Sequence, residues 1–259
     1  MKIIMIHFIS SPNKNKKPLV FIHGIASTSE IFINQVKIFG KDYYVLSLDL
    51  PGFGKSKKLK KTSISNYAKE IYNFLISQNI SKPILIGHSL GGMIVQKIIT
   101  QHRNYAEAAI LIATSSKFGS SDISWQNNFI NSRLEPLNNG KKMKDIAYMA
   151  INNIIGPNKN KHVVQFAKKI MSSISEEAYR EAIHSLIGFD LRDQLSLIKI
   201  PTLLISGQND GQAPAKTMLS MSKKIKKSKY VQFKECGHLI HIEKSEIFNN
   251  TIKKFILNL

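Results

Sequence analysis

Ile84-Leu85-Ile86-Gly87-His88-Ser89-Leu90-Gly91-Gly92 sets a serine between an apolar run and a helix-like run. The residues before Gly87 suit a buried strand, and Met93-Ile94-Val95-Gln96-Lys97-Ile98-Ile99 follows at once as a helix. Between them stands Gly87-x-Ser89-x-Gly91, the pattern of a nucleophile elbow. A strand that turns sharply into a helix leaves no room for side chains beside the turn, and the glycines meet that need. Ser89 then sits strained at the tip, with its hydroxyl exposed and the positive helix N-terminus beneath it. Such a place favours an oxyanion. Alone, Gly-x-Ser-x-Gly also describes an ordinary turn; the strand before it and the helix after it separate the two readings.

An activated serine needs a base, and the base needs an acid to orient it. The C-terminal third supplies both. Ile200-Pro201-Thr202-Leu203-Leu204-Ile205-Ser206 reads as a short buried strand running into Gly207-Gln208-Asn209-Asp210-Gly211, a loop of turn formers. Asp210 thus lies beyond a strand's carboxyl end, where chemistry collects in open parallel sheets. Lys229-Tyr230-Val231-Gln232-Phe233 reads as another strand, followed by Cys236-Gly237-His238. Taken singly, Asp210 reads equally as a turn aspartate and His238 as a surface histidine. The order Ser89, Asp210, His238, each after a strand, makes them nucleophile, acid and base. Upstream, Pro18-Leu19-Val20-Phe21-Ile22 leads into His23-Gly24-Ile25-Ala26. The backbone N–H groups of Ile25 and Leu90 are the expected oxyanion donors, with Ala26 the alternative to Ile25. His23, Phe53 and Trp125 are expected beside the substrate. Asp49 could be a second acid, but its place before Pro51-Gly52-Phe53-Gly54 favours fixing a turn.

His23-Gly24, Asp49-Leu50-Pro51-Gly52-Phe53-Gly54-Lys55-Ser56, Gly87-His88-Ser89-Leu90-Gly91-Gly92, Gly207-Gln208-Asn209-Asp210, and Gly237-His238 with Glu243 five residues on resemble the α/β-hydrolase superfamily almost end to end. The resemblance implies an α/β fold: a mostly parallel central sheet flanked by helices, with an inserted helical cap. It assigns Ser89, Asp210 and His238 their roles and calls for no cofactor or metal. Two subfamilies look nearest. Asp49-Leu50-Pro51-Gly52-Phe53-Gly54, Ala113-Thr114-Ser115-Ser116 with Trp125 downstream, and Asp190-Leu191-Arg192 resemble pimeloyl-carrier-protein methyl ester carboxylesterases. Ser175-Glu176-Glu177-Ala178-Tyr179 before Phe189-Asp190-Leu191-Arg192 is similar to 3-oxoadipate enol-lactonases. Serine at the elbow argues against dehalogenases and epoxide hydrolases, which carry Asp there. Leu239 after His238 weakens a carbon–carbon bond hydrolase, where Trp often follows.

The bulk properties bound the rest. With 259 residues the chain is long enough for one α/β domain with a sizeable core. No stretch reaches the roughly 18 apolar residues of a membrane-spanning helix, and Met1 to Ile9 reads as a first strand before a Pro12-to-Lys16 hairpin, not as a signal peptide. The single cysteine, Cys236, fits a reducing cytoplasm. The formal charge of +20 is carried by 37 Lys and Arg against 17 Asp and Glu, and only Arg103, Arg133, Arg180 and Arg192 are arginines. Lysines spread along the chain, without a recognition motif, argue against a nucleic-acid partner. Lys, Ile and Asn are enriched together, so the charge reads first as a matter of composition; the expected partner is a small-molecule ester, with an acidic acyl carrier protein as the alternative that the charge would serve.

Strands are expected near 2–9, 18–23, 43–49, 83–88, 107–113, 201–206 and 229–234, and helices near 28–39, 63–78, 90–101, 215–222 and 245–257. The alternation breaks between about 114 and 192, so residues 1–113 and 193–259 form the core and 114–192 a cap over Ser89. Trp125, Phe129, Met143, Met149, Ile154, Ile155, Phe166 and Met171 make that segment apolar. Most should pack it onto the core, and a few should line an acyl pocket. The expected function is ester hydrolysis through an acyl-enzyme. Hydrolysis of an enol-lactone, a thioester or a C–C bond on the same three residues is the alternative, and a non-catalytic ligand-binding relative the rival from another class.

Overall fold

A computed structural model describes residues 4–120 and 122–259. Seven strands run β1 (Phe8–Ser10), β2 (Pro18–Ile22), β3 (Tyr44–Leu48), β4 (Ile84–His88), β5 (Ala108–Ile112), β6 (Thr202–Gly207) and β7 (Ser228–Phe233). They form one sheet in the order β1-β3-β2-β4-β5-β6-β7. Only β1 is antiparallel; every other pairing is parallel. Parallel strands need crossovers, and α1 (Ile33–Phe39), α2 (Ile64–Ser77), α3 (Leu90–Gln101) and, between β6 and β7, α8 (Ala215–Lys224) supply them.

The sequence explains the layering. Successive residues of a strand point to opposite faces. Val20, Leu46, Leu48, Leu85 and Leu111 meet α2 and α3 on one face. Leu19, Phe21, Val45, Ile84, Ile86 and Ile110 meet α1 and α10 (Ser245–Ile256) on the other. With both faces covered, β3, β4 and β5 are buried throughout, and only Ser47, Gly87 and His88 interrupt their apolar residues.

One expectation fails at the N-terminus. The strand foreseen near 2–9 is confined to Phe8–Ser10 among the described residues, with residues 2 and 3 outside them. The foreseen hairpin also fails, because β1 and β2 both pair with β3 and not with each other. The connection steps over β3, so its Pro and Asn residues make a turn without making a hairpin.

Between β5 and β6 lie four further helices, α4 (Ile123–Asn138), α5 (Met143–Ile154), α6 (Lys161–Ser172) and α7 (Glu176–His184). The chain leaves and re-enters the core through one neck, where Lys117 and Asp190 form an antiparallel bridge. Phe118 N–H donates to Phe189 C=O at 2.9 Å and Leu191 N–H to Ser116 C=O at 2.7 Å. Leu134, Ile146, Ile151 and Ile183 from these helices join the same apolar cluster as Leu90 and Met93 of α3. The insertion is therefore packed against the elbow side of the sheet.

Candidate active site

Ser89 lies between β4 and α3 with φ 53° and ψ −118°, a left-handed conformation that costs a non-glycine residue about 1–3 kcal/mol. The surroundings hold it there. Ser89 N–H donates to Ile112 C=O at 2.9 Å, and its own carbonyl accepts from Gly92 N–H at 2.9 Å and from the Thr114 hydroxyl at 2.7 Å. The glycines are needed for close approach: a Cβ on Gly91 would stand 2.1 Å from Ile22 O, and one on Gly24 2.9 Å from Ser89 Cβ. The sequence reading missed Thr114, whose hydroxyl is the one side-chain group among the described residues bonded to the elbow carbonyl.

Asp210 follows β6 and is 5% exposed. One carboxylate oxygen accepts from Gln212 N–H at 2.8 Å and Ala213 N–H at 3.0 Å, and the other faces His238 Nδ1 at 2.8 Å. An ionised Asp210 makes Nδ1 the donor and leaves a lone pair on Nε2 of the neutral imidazole. The His238 backbone is clamped as well. Its N–H donates to Ile154 C=O at 2.7 Å, and its C=O accepts from His88 Nε2 at 2.9 Å. Glu243, visible in the sequence only as part of a resemblance, ties this loop together. Its carboxylate accepts from Gly156 N–H at 2.8 Å, Gly237 N–H at 2.9 Å and Leu239 N–H at 2.9 Å. One acidic side chain at the end of α9 (Ile240–Glu243) thus joins the histidine loop to the cap.

Ser89 and His238 line one cavity of about 200 Å³, with Ile25, Ala26 and Leu90 beside them. Leu90 is the first residue of α3, where an N–H has no intrahelical acceptor and the helix dipole is positive. Trp125, Phe129, Ile154 and Met171 of the cap complete an apolar wall. Trp125 stacks on Phe129 with ring centroids 5.6 Å apart, lying against Gly119, where a Cβ would strike the indole at 1.8 Å. The other apolar cap residues named above serve elsewhere: Met143 and Ile155 are buried in the packing, Phe166 packs against the cluster on the far face of the sheet, and Met149 is exposed.

Two expected substrate contacts are corrected. His23 and Phe53 do not line the cavity. His23 is fully buried beneath it, its Nδ1–H donating to Gly24 C=O at 2.7 Å and its Nε2 accepting from Leu50 N–H at 3.0 Å. Burial lowers its pKa to about 4, so the ring is neutral and ties the Gly24 loop to the turn after β3. Phe53 packs edge-on against that ring at 5.2 Å, in the core. Two backbone groups needing partners drew His23 inward, which residue type alone does not reveal. Asp49 fixes the turn: it accepts from Ser29 N–H at 2.7 Å, Lys55 N–H at 3.1 Å and His7 Nδ1–H at 2.7 Å. Burial opposes its ionisation, but these donors prevail and hold its carboxyl below the usual range.

This elbow, dyad and capped cavity agree with the known proteins the chain is similar to. The family model of serine aminopeptidase, S33, matches residues 13–245. The chain belongs to this α/β-hydrolase family. A pimeloyl-[acyl-carrier protein] methyl ester esterase of Legionella pneumophila (strain Corby) is 28% identical over 246 residues, covering 92% of this chain and 95% of that one. The protein of the same name from Wigglesworthia glossinidia brevipalpis is 29% identical over 252 residues, with 92% and 93% covered. Among solved structures, a thermophilic esterase from Thermogutta terrifontis matches with TM-score 0.89 at 21% identity, covering 98% of this chain and 94% of that chain. The enol-lactonase from Burkholderia xenovorans LB400 matches with TM-score 0.86 at 20% identity, covering 98% and 97%. At such identities the two structures speak for the fold alone. The chain is a hydrolase of the α/β class.

Behind the S33-family dyad stands a feature no motif announced. His238, His88 and His241 form a row of rings, 4.8 Å and then 4.7 Å apart, ending on Phe32 at 4.6 Å. Burial lowers the pKa of His88 well below the free value and that of His241 to about 3, so both rings are neutral; His88 holds the His238 carbonyl and His241 packs behind it. Cys236 is buried with its thiol pushed up to about 12, chiefly by desolvation, which leaves it protonated and inert. No helix among the described residues is long and apolar enough to cross a membrane.

Proposed function

We propose that this protein is a serine esterase that cleaves a carboxylic ester of a small or medium acyl chain through an acyl-enzyme. The observation that carries the reading is the Asp210–His238 hydrogen bond, on a histidine that shares an apolar cavity with a serine held at a strained elbow. His238 Nε2 takes the Ser89 proton as Oγ bonds to the ester carbonyl carbon. Asp210 holds the ring in its tautomer and stabilises the imidazolium. The N–H groups of Ile25 and Leu90 meet the developing oxyanion, each worth about 3 kcal/mol of barrier. Collapse breaks the ester C–O bond, and the leaving alkoxide takes the proton from His238. Water, deprotonated by the same ring, then releases the acid and restores Ser89.

The names of the relatives support the esterase reading and suggest an acyl methyl ester presented by a carrier protein. A second observation favours such an acidic partner. The cavity opens toward a groove bordered by Lys117, Arg192, Lys216 and Lys224, on a chain of net charge +20. A cytoplasmic location belongs to the same proposal, since a lone buried thiol suits a reducing compartment.

The test is a panel of p-nitrophenyl and methyl esters of graded acyl length, with enol-lactones and thioesters alongside. Short and medium esters should be turned over, and long triglyceride emulsions poorly. Ser89→Ala should abolish turnover while leaving the circular dichroism spectrum unchanged. Activity confined to lactones or thioesters would move the substrate class, and activity on nothing would favour a ligand-binding relative.

A further inference from the structure

The peptide that joins Ser89 to Leu90 is held from two sides. Its carbonyl accepts from Gly92 N–H at 2.9 Å and Met93 N–H at 3.2 Å, both in the helix that follows, and from the Thr114 hydroxyl at 2.7 Å. A trans peptide is planar, so the direction of its C=O sets the opposite direction of its N–H. That N–H belongs to Leu90, which lines the cavity at the first position of α3. The two helical donors move with α3. Thr114 comes from the end of β5 and ties the same peptide to the neighbouring strand.

The turn that carries this hydroxyl is itself strained and braced. Ala113 takes a left-handed φ of 45°, uncommon for a residue with a side chain. Its N–H donates to Ile205 C=O of β6 at 2.9 Å, and Thr114 N–H donates to the sulfur of Met218 on α8 at 3.4 Å. Thr114 is 1% exposed and Met218 fully buried. Gly92 leaves the room Thr114 needs, since a Cβ there would stand 2.6 Å from Thr114 Cβ. Gln96 Nε2 donates to Gly92 C=O and to Ser115 C=O, each at 3.0 Å, and so closes the two turns on each other. Backbone strain kept in place by its surroundings clusters where geometry serves chemistry.

We propose that Thr114 is a positioning residue for the oxyanion hole: its hydroxyl, bonded to the Ser89 carbonyl, holds the Ser89–Leu90 peptide with the Leu90 N–H aimed at the developing oxyanion. The proposal rests on the esterase reading. The hydroxyl acts in two ways. It stops the peptide from rotating away from the cavity, and by polarising the carbonyl it makes the N–H of the same amide a stronger donor. Both count only once charge builds on the substrate oxygen, so the effect falls on kcat and not on substrate binding.

The experiment compares a p-nitrophenyl ester with its thionoester, in which sulfur replaces the carbonyl oxygen. Sulfur is larger and a weaker acceptor, so the ratio of the two kcat/KM values reports the oxyanion donors apart from the nucleophile. Thr114→Val keeps the shape and removes the hydroxyl. It should lower kcat on the oxygen ester about tenfold with KM nearly unchanged, and shrink the oxygen-to-sulfur ratio by a similar factor. Thr114→Ser keeps the hydroxyl and loses the methyl. Its kinetics should stay within about twofold of wild type while its Tm falls, so that activity follows the hydroxyl and stability the methyl. Met218→Leu removes only the sulfur that accepts from Thr114 N–H; it should shrink the ratio about threefold and stands in if Thr114→Val does not fold. A fall shared equally by the two esters makes Thr114 a matter of folding alone and overturns the proposal. Wild-type kinetics in Thr114→Val, or in Met218→Leu where it stands in, overturns it as well. These outcomes leave the esterase reading standing; a wild-type protein that hydrolyses neither ester removes both.

Discussion

His23 cannot take a proton without losing a bond, because Nδ1 already donates and Nε2 must accept from Leu50 N–H. The consequence is a dependence of stability on pH. The unfolded imidazole titrates near 6.5 and the folded one near 4, so between these values the unfolded state binds more protons. Stability is therefore full above about pH 6.5 and falls as the pH drops toward 4, by on the order of 3 kcal/mol from His23 alone. His88 and His241, lowered by burial, act in the same direction, and Asp49 extends the loss below pH 4. Urea midpoints should hold level from pH 8 to about 6.5 and decline from there to pH 5; a profile flat throughout would mean that these rings are solvated. At Asp210 the single hydrogen bond to His238 Nδ1 sets the tautomer, so Asp210→Asn should cost at least tenfold in kcat with little change in KM. A wild-type rate would show that the carboxylate of Asp210 is not needed to orient His238.

The short elements around the elbow have little slack. Glu243 at the end of α9 accepts three backbone N–H groups from the His238 loop and the cap. Glu243→Gln keeps the shape but can offer only one acceptor oxygen. It should lower kcat about tenfold and reduce Tm by several degrees, because charge-assisted bonds to backbone amides are each worth about 1.5–3 kcal/mol. Kinetics matching the wild type with an unchanged Tm would show that the loop is held by Ile154 and His88 alone. At this scale the sequence was most legible. Strand ends at Ile22, His88 and Phe233 follow from apolar runs stopped by Gly and polar residues, and six of seven strands fall within about two residues of their expected bounds. The first strand was misjudged because its alternation is weak and its partner, β3, comes later in the chain. Helix α9 has four residues, too few for any periodicity to show.

For the whole molecule, order along the chain says which residues follow strands but not which way a ring turns. That is why Ser89, Asp210 and His238 could be named from sequence, while His23 and Phe53 were set beside the substrate and lie beneath it. It is also why the bond from Thr114 to the Ser89 carbonyl and the reach of Glu243 to Gly156 waited for the structure: each joins groups distant in sequence. The charge raises a question of the same kind. If an acidic carrier protein delivers the acyl chain, the lysines at the cavity mouth steer the encounter, and that steering is screened over about 8 Å at physiological salt. Then kcat/KM for a carrier-linked ester should fall with salt while that for a small neutral ester stays level, and reversing Lys216 together with Lys224 to Glu should mimic the loss at low salt. Parallel salt curves would leave the +20 charge as a matter of composition.

The central claim is that Ser89 carries the acyl group between two half-reactions. The direct measurement is to mix enzyme with a p-nitrophenyl ester, quench with acid within the first turnover, and weigh the peptides. The account predicts the acyl mass on the peptide containing Ser89, a matching burst of p-nitrophenol, and neither in Ser89→Ala. An acyl adduct on another residue, or a Ser89→Ala enzyme that keeps most of its turnover, would contradict it.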